Sequence, residues 1–262
     1  MKSVVENMLW VWIILLSAGS SVPLPDITDG KFIEECVRAH NSARSSVQPP
    51  AHIMLYMTWD EGLAITARAW ARQCIYKHNV RRTHPTFPSV GENIWAGYPV
   101  SMFNTTNAID LWVDEKKHYD LNSNTCSDVC GHYTQVVWAQ TYKVGCAVQL
   151  CTSGIQGTSF FPNKGAIFVC NYAPAGNVNR RQPYEASITP CSGCKDNCED
   201  NLCLWPSVKP TPPIWIPEWD SALKKCGSQC VAVLTVRPVA LICTFVLAYV
   251  VHRFYPNTFC YE

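Results

Sequence analysis

The chain has 262 residues, 48% of them hydrophobic and 16% charged, which allows one sizeable globular domain with appendages rather than several full domains. Its formal net charge is +1 with no long like-charge run, which excludes recruitment of nucleic acid or anionic lipid by electrostatics alone. Fifteen cysteines belong in an oxidising compartment, where disulfides persist.

Residues 1–20 read as a secretory signal peptide: Lys2, an apolar run from Met8 to Leu16, then small residues suited to cleavage near Ser20. The alternative, an N-terminal membrane anchor, meets the objection that the run is short for a bilayer. Phe32, Ile33, Cys36, Val37 and His40 then recur at helical spacing, and the pattern stops before Pro49-Pro50. A second helix is announced by "TWDE", with Thr58 as cap and Glu61 reaching back. Leu63, Ala67, Trp70 and Cys74 follow on one face. Four residues further, that stripe lands on His78. A third helix is expected over Thr105 to His118, with Ala108, Leu111, Trp112 and Glu115 on one face. Asn104-Thr105-Thr106, just before it, is an N-glycosylation acceptor. "YKVGCAVQLC" and "AIFVCNYAP" are β-branched, bounded by Gly and Pro, and read as strands. Helices followed by strands give an α+β layering.

The main domain therefore covers residues 29–184. Seven cysteines lie between Cys36 and Cys170, an odd number, so at least one is free there or pairs outside. A compact hinge, "CSGCKDNCEDNLC" over 191–203, has spacing that inside a cell would invite zinc but in a secreted chain favours a two-disulfide knot. The disulfide candidates are Cys74, Cys126, Cys130, Cys146, Cys151, Cys170, Cys191, Cys194, Cys198 and Cys203. Spacing leaves their connectivity open. A Pro-rich stalk follows over 206–230. Residues 231–251 are apolar apart from Arg237-Pro238 and small polar interruptions, long enough to cross a bilayer. Arg237 is near enough to the outer end to snorkel. His252-Arg253 suit the cytoplasmic end of a single-pass type I protein with a short tail over 252–262. A secreted form or a glycolipid anchor is the alternative, although "HRFYPNTFCYE" continues past the apolar run.

Two ionisable groups, His78 and Glu115, thus sit on apolar stripes and need polar partners. Glu92 in "GENIW" and His132 in "GHYTQVVWAQT" are candidates. Two histidines and two carboxylates could share a cleft and ligate a divalent metal. His40, Asn41 and Arg44 of "HNSAR" are read as structural, bonding locally or to a neighbouring strand.

"GHYTQVVWAQT" and "IFVCNYAPAGNV" resemble the two signatures of the CAP superfamily of cysteine-rich secretory, antigen 5 and pathogenesis-related proteins. "HNSAR" and "GENI" resemble its two other motifs, and four ordered matches are far more specific than one. Within it, the chain is most similar to the glioma pathogenesis-related branch. The resemblance implies a disulfide-rich three-layer α-β-α sandwich with a small antiparallel sheet, the short hinge, and a C-terminal hydrophobic helix. It implies a cleft lined by His78, Glu92, Glu115 and His132. It also implies a short helix in "YTQVVW", where residue propensity alone gives a strand.

The expected function is an extracellular, non-enzymatic binding module whose cleft holds zinc or another divalent metal, with lipid, sterol or protein partners and no nucleic acid. A hydrolase is the second reading. It meets the objections that four protein ligands leave no open coordination position and that no G-x-S-x-G or H-E-x-x-H motif is present. The third reading is a hydrogen-bonded tetrad that only ties helices to the sheet.

Overall fold

The structure is a computed structural model, describing residues 24–204, 215–220 and 228–255. The expected signal peptide, most of the stalk and most of the tail lie outside the described residues. The chain divides into two compact units, 1–217 and 218–262.

Helix α1, Gly30–Ser45, begins where the Asp29 carboxylate accepts the Lys31 and Phe32 amides, satisfying two donors that the first turn leaves unpaired. Strand β1 is Thr58–Trp59 and helix α2 is Glu61–Ala71. Strand β2, Gly91–Gly97, leads to helix α3, Thr105–Val113, and its 3₁₀ continuation, Asp114–His118. A small ribbon of β3, Tyr119–Asp120, and β4, Thr125–Cys126, precedes helix α4, Gly131–Val136. The long strands β5, Lys143–Cys151, and β6, Gly165–Ala173, complete a four-stranded sheet in the order β1-β5-β6-β2. All pairings in this sheet are antiparallel except the short β1–β5 edge.

Strand period explains the three layers. On β5 and β6, Val144, Cys146, Val148, Phe168, Cys170 and Tyr172 face a core shared with α1, α3 and α4. The alternate residues Ala147, Ile167 and Val169 face α2. With both faces covered, β6 is buried along its whole length, so its sequence reads as a continuous apolar run. Phe168 is the hub of the first core, with the rings of Phe32, Phe103 and Trp112 at 6.2, 5.3 and 5.4 Å. On the other face Gly145 admits α2: a Cβ there would lie 2.1 Å from the Ala64 amide nitrogen.

Four expectations need correction. Thr58 is committed to the β1–β5 pairing, and Asp60 caps α2 instead, accepting the Leu63 amide at 3.0 Å. That helix stops at Ala71, and Cys74 has a positive φ of 53° and is bonded to Cys151, so His78 lies on the following loop and not on the helical stripe. "YTQVVW" is not a strand, because its first residues form α4. In the third helix Leu111 is 56% exposed while Ile109 is buried.

The ten candidate cysteines form five disulfides: Cys74–Cys151, Cys126–Cys130, Cys146–Cys170, Cys191–Cys198 and Cys194–Cys203. Cys36 is the buried free thiol of the odd set. The hinge, which contains β7, Cys198–Glu199, and β8, Leu202–Cys203, is annealed to the main domain. The Cys203 amide donates to Met54, the Tyr56 amide donates to Cys203, and Leu202 joins the main core. Trp215, assigned above to a free stalk, packs on the same unit with its ring 5.8 Å from that of His84.

The second unit contains helix α5, Ser228–Phe254, interrupted by Pro238. The membrane span expected over 231–251 is not supported. Among the described residues no helix is long and apolar enough to cross a membrane, and Arg237 and Pro238 break the apolar run.

Arg44 is fully buried on α1 with its guanidinium donating six hydrogen bonds to the carbonyls of Leu55, Val136, Trp138, Ala139 and Thr141. Burial lowers its pKa to about 9, which leaves it charged at neutral pH. Replacing it by methionine keeps the side-chain bulk and orphans buried carbonyls, each at a cost of about 1–3 kcal/mol. Chemical denaturation of Arg44→Met is expected to show a loss of at least about 3 kcal/mol, and a loss under about 1 kcal/mol contradicts the clamp.

Candidate functional site

The four expected site residues come together as two His–Glu pairs. Glu92 projects from β2 with its side chain wholly buried. Its Oε1 faces His78 Nδ1 at 3.0 Å, accepts the Asn79 amide at 2.8 Å and lies 3.5 Å from Arg82 Nη1. Its Oε2 is buried with no protein hydrogen bond. The loop that presents His78 is held just before that residue. The Cys74–Cys151 disulfide ties it to β5, and backbone bonds link Cys74 and Tyr76 to Gln156.

Glu115 lies on the 3₁₀ turn after α3. Its Oε1 is 2.6 Å from His132 Nδ1, while Oε2 accepts the backbone amides of His132 and Tyr133 at 3.0 and 3.3 Å. One carboxylate therefore caps the start of α4 and fixes the ring of its second residue. The other side of that ring lies parallel to Trp112, with centroids 6.1 Å apart and an interplanar angle of 13°.

In both pairs Nδ1 faces the carboxylate, and among the described residues neither Nε2 has a hydrogen-bond partner. A carboxylate that takes the Nδ1 proton leaves the Nε2 lone pair available as a ligand, an arrangement common behind metal-binding histidines. The two pairs do not converge into a single four-ligand cage. The only group of three among the described residues with ligand atoms within 4.8 Å of one another is Cys191, Cys194 and Cys203, and all three are in disulfides. The donor atoms that the two pairs leave without a hydrogen-bond partner among the described residues are the two Nε2 atoms and the buried Glu92 Oε2, nitrogen and oxygen donors of the kind that a divalent metal such as zinc takes.

The site is braced by His40, which has the structural role read from the sequence, and by Asn93 and Tyr172, which that reading did not single out. His40 Nδ1 donates to the Cys36 carbonyl at 2.7 Å, so its Nε2 accepts from the Tyr172 hydroxyl at 2.9 Å. Asn93 donates to that hydroxyl and to the His132 carbonyl at 3.2 and 3.1 Å. A buried polar chain thus runs from α1 through the sheet to α4, every member partnered. Asn93 alternates with Glu92 along β2, and that alternation was the available signal. Tyr76 was also missed: its phenol pKa is raised by burial and then by the charge of Glu115, which puts it in the electrostatic field of the site. Asn104 is exposed and N-caps α3, its Oδ1 accepting the Asn107 amide at 3.0 Å.

An antiparallel-cored sandwich of helix, sheet and helix, laced by disulfides and carrying paired His and Glu residues, defines the class of protein. The model of the CAP, Cysteine-rich secretory protein family, matches residues 37–172, and the chain belongs to that family. It is 51% identical to GLIPR1-like protein 1 of Bos taurus, over 75% of this chain and 81% of that protein. It is 43% identical to Glioma pathogenesis-related protein 1 of Mus musculus, over 94% of this chain and 95% of that protein. Among solved structures it is similar to venom allergen-like protein 4 of Schistosoma mansoni, 29% identical with a TM-score of 0.50, over 63% of this chain and 99% of that one. It is also similar to NaASP2 crystallised with Zn2+, 29% identical with a TM-score of 0.54, over 69% of this chain and all of that one, 100%.

Burial, and secondarily the Arg44 charge, push His40 from 6.5 down to about 4. Between those values the unfolded chain binds a proton at residue 40 that the folded chain refuses. Stability is therefore full above pH 6.5 and falls on acidification through this window, by about 3 kcal/mol. Denaturation of the wild type and His40→Gln checks this: the wild type's advantage should shrink by about 2–3 kcal/mol between about pH 7.5 and about pH 4.5. An unchanged difference contradicts a buried neutral imidazole.

Proposed function

We propose that this chain is an extracellular binding protein without a catalytic role, whose His78 and His132 hold a divalent metal such as zinc, with other surfaces for lipid or protein partners. The observation that carries this reading is the anchoring of both imidazoles at Nδ1 by a glutamate, which turns Nε2 toward ligation. Glu92 and Glu115 are then orienting groups, and the metal, held by the imidazoles, would supply a fixed positive charge. The NaASP2 structure with Zn2+ makes zinc the first ion to try. Five disulfides favour an extracellular setting. A hydrolase is disfavoured by the glutamates themselves: a general base needs a carboxylate oxygen within reach of water. Glu115 uses both oxygens on α4 and Glu92 is sealed from solvent.

Calorimetric titration of zinc into the chelator-stripped full chain is expected to give one stoichiometric event, lost in His78→Ala and in His132→Ala. Glu115→Gln should weaken it about 10–100-fold, as loss of an orienting carboxylate does. No heat with the unmodified chain would leave the two pairs as purely structural links. A glycan on Asn104 belongs to the same extracellular reading. The chain purified from a eukaryotic host should lose mass on N-glycosidase treatment, and Asn104→Gln should show no such loss.

A further inference from the structure

A second concavity lies at the Tyr98 end of β2, and none of His78, Glu92, Glu115 and His132 lines it. Its volume of about 580 Å³ is that of a small-molecule site. The indole of Trp95 forms its floor. That ring folds back over the strand because residue 97 is glycine: a Cβ there would lie 2.2 Å from it. Tyr98 and Phe160 form one wall, their rings stacked at 6.0 Å and 21°. Asp110 of α3 and Asp114 of its 3₁₀ continuation, one turn apart, line it as well, together with the exposed Leu111.

The lining combines three aromatic rings and a leucine with two carboxylates and no cationic side chain. Among the described residues neither Asp110 nor Asp114 enters an ion pair. Aromatic faces and carboxylates both attract a cation, and the same carboxylates repel an anionic head group such as that of a fatty acid. The apolar floor favours a hydrocarbon body. From this complementarity we infer that the groove binds a small amphipathic organic ammonium, its apolar part against Trp95, Leu111 and Phe160 and its positive head between Asp110 and Asp114. The exposed position of both carboxylates makes them replaceable without disturbing the core. Occupation needs no metal, so this inference stands apart from the zinc reading.

The test is calorimetric titration of the full chain, in the presence of chelator, with octyltrimethylammonium, octanol and octanoate. The ammonium is expected to bind at least about tenfold more tightly than octanol, the effect of a cation–π contact plus a carboxylate, and octanoate more weakly than either. In Asp110→Asn/Asp114→Asn the advantage of the ammonium should vanish while octanol binding persists. In His78→Ala/His132→Ala the ammonium affinity should be unchanged. The inference is overturned if the ammonium does not bind, if octanoate matches it, if its advantage survives in the double asparagine variant, or if the double alanine variant abolishes it.

Discussion

The guanidinium of Arg44 sits at full burial with no carboxylate partner among the described residues, and the dipoles of five carbonyls compensate its charge. Those carbonyls come from Leu55, from Val136 at the end of α4, and from the irregular stretch 138–141 that follows that helix. Irregular backbone cannot bury its carbonyls without donors, and the arginine fork supplies several from one side chain. Two more residues on the same helix repeat the device. Asn41 exchanges a pair of bonds with the Met57 backbone, and His40 reaches Tyr172 on β6. One helix thereby fixes the loop before β1, the exit of α4 and the centre of the sheet.

The site inherits its geometry from this bracing. His132 is held by its own ring through Glu115 and Trp112, and by its carbonyl through Asn93. His78 depends on a loop pinned by a disulfide and by the bridge to Gln156. The two imidazoles therefore differ in exposure, with side chains 24% exposed for His132 and 61% for His78. The glutamates serve the fold first: Glu115 caps a helix and Glu92 receives the loop amide of Asn79, and ring orientation follows from those roles.

The hinge shows how a cysteine cluster is integrated in a small disulfide-rich domain. Its two interlaced disulfides pack with Leu55, and its backbone pairs with the stretch that Arg44 also clamps. Removing the hinge would expose that stretch. It is a lid on the main core rather than a separate module.

The sequence by itself determined the layers and the family. β-Branched runs bounded by Gly and Pro in 143–151 and 165–173, helical spacing in 30–45, and four ordered motifs are local signals that survive in any context. It also determined that at least one of seven cysteines lacks a partner within the main domain. It did not determine where the second helix stops, because Cys74 and the turn around it are fixed by a disulfide to a residue far along the chain. For the residues after Gly131 propensity alone favours a strand while the motif resemblance implies a helix, and the helix forms because the Glu115 carboxylate caps it from a distant turn. It placed Leu111 inside, whereas the curvature of the sandwich leaves that face of α3 over a groove. The grouping of His78 with Glu92 and of His132 with Glu115 belongs to tertiary structure alone, since each pair joins segments that meet only once the sheet and helices have packed.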